Sequence, residues 1–130
     1  WRVAWATSGL YDDGWMRPGE PATIRVFPRR GQTHGIVRYL DIRLAAQTGS
    51  WPYRIVLPSG TVAGTATENT NDNRIDVCVP ASGHVDVRLE SAARARIYGD
   101  PQNSITIGTQ REVGLHVAQI ALADELGPAC

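Results

Sequence analysis

The sequence predicts an all-β protein: a single antiparallel β-sandwich of jelly-roll topology that spans residues 1–130. Apolar and polar residues alternate with period two through most of the chain, as they do in strands with one buried face. Short runs rich in proline, glycine and serine separate these segments, as turns do. About eight or nine such strands are typical of a sandwich, and polar residues at every second position indicate antiparallel pairing.

The first predicted strand contains Trp1 and Trp5, and we expect Trp5 to lie in the core or to cover an edge. Five further strands follow in chain order, over residues 22–28, 35–45, 52–58, 74–80 and 84–90. In each of them the apolar residues recur at alternate positions and therefore share one face. These residues are Ile24, Val26, Ile36, Leu40, Ile42, Leu44, Tyr53, Ile55, Leu57, Ile75, Val77, Val79, Val85, Val87 and Leu89.

The last apolar segment, residues 111–126, permits two interpretations. Val113, Leu115 and Val117 alternate as in a strand, but the apolar residues that follow are out of phase. A β-bulge near Ala118 and Gln119 restores the phase, so we favour a strand. The alternative is a short helix that begins near Val117. The polar residues 63–73 are predicted to be a surface insertion.

The two cysteines, Cys78 and Cys130, permit only one pairing. We expect them to form a disulfide that holds the end of the chain, and the alternative is two unrelated free thiols. A disulfide indicates an oxidising compartment, and we therefore expect an extracytoplasmic location. Because the chain begins with Trp1 and not with methionine, we expect it to be an excised, monomeric piece of a longer protein.

The charges balance, with thirteen basic and thirteen acidic residues. All the basic residues are arginine. A neutral chain argues against a general binder of nucleic acid or of anionic membranes. No run of apolar residues approaches the ~18 that a membrane-spanning helix needs.

Candidate catalytic and metal-binding residues are few. His34, His84 and His116 are expected at the surface, and no zinc or phosphate-binding motif is present. Neighbouring carboxylates at Asp12 and Asp13 point to opposite sides of an extended chain, which makes them a poor acid–base pair. No cofactor is expected, although calcium is an option because two loops carry side-chain oxygens. Its candidate ligands are Asp12, Asp13, Asn71 and Asp72, and the alternative role for such residues is turn formation.

The aromatic residues supply the candidate ligand-binding site. Flat rings beside carboxylates suit sugars, because a ring packs on the CH face of a pyranose while charged groups bond its hydroxyls. The alternative is that Trp15 and Trp51 close the ends of the sandwich. The residues assigned to the site are Tyr11, Asp12, Asp13, Trp15, Trp51 and Tyr53.

Three segments, SGLYDDGWMRPGEPATIRVFP, IDVCVPASGHVDVRLES and REVGLHVAQIAL, carry a resemblance. They resemble the extracytoplasmic C-terminal jelly-roll domains of actinobacterial polytopic membrane glycosyltransferases, of the arabinosyltransferase kind. Such domains are similar to carbohydrate-binding modules of the galactose-binding type. The resemblance implies a non-catalytic domain that binds or positions cell-wall glycan. It assigns no individual sugar-contacting residue.

Two other functions remain open at this point. The domain could be a structural or protein-interaction module that packs against its membrane-embedded parent, which predicts an exposed apolar patch. It could also be a small hydrolase, which predicts two carboxylates facing each other across a cleft.

Overall fold

The computed structural model describes residues 3–98 and 110–130, and in this part the chain is built from β-strands without any helix. In chain order the strands are β1 (Trp5–Ser8), β2 (Ala22–Val26), β3 (Ile36–Ala45), β4 (Trp51–Leu57), β5 (Gly60–Ala66), β6 (Asn71–Val79), β7 (Val85–Ser91), β8 (Ala95–Tyr98), β9 (Gln110–Val113) and β10 (His116–Ala129). Across residues 3–98 and 110–130, no helix has the length and apolar character that crossing a bilayer requires.

The strands form two antiparallel sheets that pack against each other, with a small hairpin beside them. One sheet has five strands in the order β1-β2-β7-β4-β5, and the other has three in the order β10-β3-β6. Among the described residues, strands β8 and β9 pair only with each other. The predicted β-sandwich is therefore confirmed. The division into five and three strands leaves the finer jelly-roll assignment as a prediction.

The core lies between the two sheets and consists of the residues that alternation placed on one face. Thirteen of the fifteen predicted inward residues are buried, and the exceptions, Ile36 and Leu57, are half-buried. Met16 and Leu115, which lie outside the strands, complete the core and are at most 1% exposed. Such burial of apolar surface is the main favourable contribution to folding.

The last apolar segment is a strand, and its predicted bulge is present. In β10, Val117 pairs with Leu44 of β3 and Gln119 pairs with Arg43, so Ala118 is the extra residue. The helical alternative is wrong. The strand also continues beyond the predicted end at residue 126, as far as Ala129, with two more register shifts.

Residues 63–73 lie at the surface as predicted, apart from the buried Ala66, but most of them are strand and not an insertion between strands. Residues 60–66 form the edge strand β5, β6 begins at Asn71, and only residues 67–70 connect them. The sequence pattern did not predict β5, because the strand consists mainly of small residues. Its pairing depends on backbone hydrogen bonds and not on an apolar face. Gly64 is required in that strand, since a Cβ atom there would lie 2.4 Å from the hydroxyl oxygen of Tyr53.

The predicted disulfide is present and joins the two outer strands of the three-stranded sheet. Cys78 of β6 bonds to Cys130, which directly follows β10, and their Cα atoms are 5.9 Å apart. The bridge passes over Gly35, the residue before the central strand β3, whose carbonyl accepts a hydrogen bond from the Cys130 amide (3.0 Å). A Cβ atom on Gly35 would lie 2.7 Å from the Cys130 carbonyl oxygen and 3.4 Å from both sulfurs. Only glycine leaves room for this crossing.

We predict that the double substitution Cys78→Ala and Cys130→Ala lowers the free energy of unfolding by about 4 kcal/mol. The bridge closes a long loop, with 52 residues of separation, and so restricts the unfolded chain. Urea denaturation with and without a reducing agent measures the change. The reductant should destabilise the wild-type domain and leave the double variant unaffected; equal stability of the oxidised wild type and the variant would contradict the prediction.

Candidate functional site

The segment GLYDDGW forms a tight hairpin between β1 and β2. The Tyr11 carbonyl accepts a hydrogen bond from the Gly14 amide (2.9 Å), and the Tyr11 amide donates to the Trp15 carbonyl (2.8 Å). Gly14 has φ of +89°, a left-handed conformation that favours glycine. Asp12 and Asp13 therefore occupy the exposed tip of the turn.

This hairpin is fastened to the start of β10 through its backbone. The Val117 amide donates to the Gly14 carbonyl (2.9 Å), and the Met16 amide donates to the Leu115 carbonyl (2.7 Å). Met16 is 1% exposed and belongs to the hydrophobic core. The sequence analysis did not single out Met16, although it is the side chain by which the hairpin enters the interior.

Trp15 lies at the surface side of the hairpin, half-buried, and is not part of the core cluster. Its ring stacks on that of His116, with centroids 4.6 Å apart and planes at 27°. The Nε2 atom of His116 lies 3.1 Å from the Asp13 carbonyl oxygen. Because a carbonyl oxygen only accepts, Nε2 carries the proton in this contact. Trp15 thus covers β10 from outside and does not close the core.

Asp13 and Tyr11 are both engaged by arginines. The Asp13 carboxylate forms an ion pair with Arg111, whose side chain is largely buried. The guanidinium carbons of Arg111 and Arg17 each lie 4.5 Å from the centroid of the Tyr11 ring, as in cation–π contacts. The Tyr11 hydroxyl donates to the Glu112 carbonyl (3.3 Å). The Tyr11 ring is therefore engaged by two arginines and does not offer a free face for stacking.

A groove of about 450 Å³ opens beside the hairpin, between β1 and β10. These are edge strands of the two opposing sheets, so none of the described strands covers the space between them. Its walls combine one indole, two aliphatic hydroxyls, one phenol, one carboxylate and one side-chain amide with apolar groups. The lining residues are Trp5, Thr7, Ser8, Leu10, Tyr11, Asp12, Gly14, Val117, Ala118, Gln119 and Ile120. We call this space the edge groove.

The six residues that the sequence assigned to one site therefore lie in different parts of the structure. Tyr11 and Asp12 line the edge groove, while Asp13 and Trp15 lie beside it in the same hairpin. Trp51 lies at the start of β4, half-buried against the core, and its Nε1 donates to the Thr48 carbonyl (3.0 Å).

Tyr53 is a correction, because it belongs to the core. Its side chain is 4% exposed, and its hydroxyl donates to Oδ1 of Asn73 on the opposite sheet (2.9 Å). The position of Tyr53 two residues before Ile55 places both on the inward face of β4. A ligand at the surface cannot reach it.

Four groove residues with aromatic or polar side chains were not assigned to the site by the sequence analysis: Trp5, Thr7, Ser8 and Gln119. The first three belong to β1 and the fourth to β10, strands that are adjacent only after both sheets have formed. One signal was available. The predicted bulge at Ala118 and Gln119 interrupts the pairing of β10 and leaves both residues exposed.

The candidate calcium ligands are dispersed. Asp13 pairs with Arg111, and Asp72 pairs with Arg43 (2.7 Å). The Asn71 side-chain amide donates to the Thr65 carbonyl. Within residues 3–98 and 110–130, no three His, Cys, Asp or Glu side chains are grouped as a metal site would need. Nothing in this arrangement supports the calcium prediction.

Comparison of the chain with protein-family models, curated proteins and solved structures finds no match. The geometry of the edge groove is therefore the basis of the functional proposal.

We predict that Gly14→Ala destabilises the domain by about 1 kcal/mol more than Gly83→Ala does. Both glycines have positive φ, +89° and +95°, so both substitutions incur the same backbone strain of about 1–2 kcal/mol. A Cβ atom on Gly14 would also lie 3.0 Å from the Val117 carbonyl oxygen, whereas nothing lies within 4 Å at Gly83. Urea denaturation of the two variants checks the difference. Equal decreases in the free energy of unfolding would contradict the prediction, because they would mean that β10 shifts away from the added Cβ atom without cost.

Proposed function

We propose that this domain is a non-catalytic extracytoplasmic carbohydrate-binding module and that the edge groove holds the sugar. The observation that carries the proposal is the composition of that groove. It places the indole of Trp5 beside the Thr7 and Ser8 hydroxyls, the Asp12 carboxylate and the Gln119 amide in one open space of about 450 Å³.

Each of these groups matches part of a sugar ring. The half-buried indole of Trp5 offers an apolar surface on which the CH face of a sugar can pack. The Asp12 carboxylate accepts hydrogen bonds from sugar hydroxyls, and a bond to a charged acceptor is stronger than one between neutral groups. The Gln119 amide both donates and accepts, as a sugar hydroxyl does. Within residues 3–98 and 110–130, Asp12 forms no hydrogen bond or ion pair with another residue, so its carboxylate is available to a ligand.

The disulfide supports the proposed compartment, and the sequence resemblance supports the proposed type of glycan. A disulfide joins Cys78 and Cys130, which is compatible with an oxidising environment outside the cytoplasm. The resemblance to the C-terminal domains of actinobacterial membrane glycosyltransferases favours a cell-wall glycan as ligand. In this proposal the domain holds the glycan, and the parent protein performs the chemistry.

A binding role is favoured over hydrolysis by the charge of the groove. Glycoside hydrolysis generally uses two carboxyl groups on either side of the scissile bond. Among the described residues that line the groove, Asp12 supplies the one carboxylate. The neighbouring Asp13 lies outside the groove and is paired with Arg111.

The alternative of a module that packs on its parent has no comparable observation. In the described part of the chain, the exposed large apolar residues are Val3, Val62 and Leu126. They lie on three separate segments, namely the residues before β1, the edge strand β5 and the far part of β10.

We predict that the domain binds arabinan oligosaccharides and that substitutions in the edge groove weaken this binding. Asp12→Asn and Gln119→Ala should each raise the dissociation constant about tenfold, since each removes hydrogen bonds to the sugar worth roughly 1.4 kcal/mol. Trp5→Ala should raise it further by removing the stacking surface. Isothermal titration calorimetry measures the constants.

Trp51→Ala is the matched control, because Trp51 is also half-buried against the core but does not line the edge groove. Its affinity should equal that of the wild type. Unfolding curves for each variant identify any loss that is due to destabilisation. Absence of binding to arabinan, galactan and cello-oligosaccharides would refute the proposal, as would wild-type affinity in both Asp12→Asn and Gln119→Ala.

A further inference from the structure

A second cleft, of about 540 Å³, lies at the other end of the same open side of the sandwich. Its walls come from the residues before β1, the turn after β2 and the first half of β3. The lining residues are Val3, Ala4, Phe27, Pro28, Arg29, Arg30 and Arg38. We call it the arginine cleft, because its only charged groups within the described residues are three guanidiniums.

Arg38 is the buried member of this set, at 6% exposed. It shares the inward face of β3 with Leu40, and alternation therefore directs it into the sandwich. Its Nη2 donates to the Ala123 carbonyl of β10 (3.0 Å). Its Nε is buried and has no hydrogen-bond acceptor in the described part of the protein. A buried cation with an unused donor is costly to keep unless something else compensates it.

Within the described residues, no ion pair neutralises the positive charge of the arginine cleft. Arg25, Arg43 and Arg54 each pair with a carboxylate on an outer face. Arg29, Arg30 and Arg38 form no such ion pair with any of the described residues.

The electrostatic surroundings of Arg38 agree with this. Burial and then repulsion from Arg29 lower the pKa of Arg38, and only the attraction of the Asp124 carboxylate opposes them. An anion in the cleft would reverse the balance, because it would attract all three guanidiniums at once.

The turn that carries Arg29 and Arg30 is held in place. The Gln32 amide donates to the Arg29 carbonyl (3.0 Å), and Gly31 has φ of +82°, which suits the third position of a type II turn. The Gln32 side-chain amide donates to the carbonyls of Val79 (2.8 Å) and His34 (2.9 Å). The backbone bearing two of the cations is thus ordered before any ligand arrives, which reduces the entropy cost of binding.

We propose that the arginine cleft is a binding site for a phosphate group carried on a soluble organic molecule. Planar guanidiniums bond phosphate oxygens in pairs, and three of them with one acidic neighbour favour a dianion over a single carboxylate. The cleft is larger than one phosphate group requires. Its remaining wall, formed by Val3, Phe27 and Pro28, is apolar and suits the body of the ligand. This site does not depend on whether the edge groove binds sugar.

The test uses phenyl phosphate as the probe, with inorganic phosphate and benzoate beside it, in calorimetric titrations at low salt. Phenyl phosphate should bind with a dissociation constant of about 1 mM or lower. Inorganic phosphate should bind more weakly, because it lacks the apolar body, and benzoate should bind at least about tenfold more weakly, because it carries one charge. Benzoate binding as tight as that of phenyl phosphate would overturn the assignment to phosphate.

The variant Arg29→Gln with Arg30→Gln should raise the dissociation constant for phenyl phosphate at least about tenfold, since it removes two exposed cations without touching the core. Arg74→Gln is the matched control, an exposed arginine on the outer face of β6, and its affinity should be unchanged. Arg38→Gln should abolish binding, and if that variant does not fold, the double variant decides. Wild-type affinity in the double variant would refute the proposal.

A lipid source of the phosphate is distinguished in the same experiment. The proposal expects no sedimentation of the domain with vesicles of phosphatidylglycerol. Binding to those vesicles without binding to phenyl phosphate would overturn it in favour of a membrane surface.

Discussion

The alternation of side chains along β3 is the constraint on which the rest of the structure depends. This strand is the centre of the three-stranded sheet, and Leu40, Ile42 and Leu44 on its inward face are at most 1% exposed. A shift of one residue would exchange the two faces, so the register with both neighbours is fixed by burial. The same periodicity obliges Arg38 to enter the sandwich. One strand thus provides the centre of the core and the charged floor of a cleft.

The unequal sheets leave one side of the sandwich open. The strands β1 and β10 are edges, and among the described residues the space between them is covered by the hairpin at residues 10–16 at one end. The edge groove and the arginine cleft both lie along this side. Trp5 lines the edge groove, and its neighbour Ala4 lines the arginine cleft. The bulge at Ala118 lies on the same side, and it leaves Ala118 and Gln119 exposed beside the groove.

Patterns local to the chain were sufficient for the β-sandwich class and insufficient for the site. Alternation predicted the strands that carry large apolar residues, and it failed for β5, whose glycines, threonines and alanines show no apolar face. Tyr53 was assigned to the site although its spacing from Ile55 already placed it in the core. Trp5 and Gln119 line the same groove only because the two sheets pack against each other, and no local pattern predicts that packing. The inward position of Arg38 was available from the period of β3, but the cleft around it depends on loops that alternation does not describe.

The disulfide has a mechanical consequence as well as a thermodynamic one. An edge strand pulled from its free end peels away from its neighbour one hydrogen bond at a time. The last residue of β10 is followed directly by Cys130, which is bonded to Cys78 within β6. Tension applied at Cys130 is therefore transmitted through the disulfide to Cys78, in a strand on the far side of β3, and does not act on the hydrogen bonds of β10 alone. The fourteen residues of β10 are shielded from unzipping, and with them the wall of the groove.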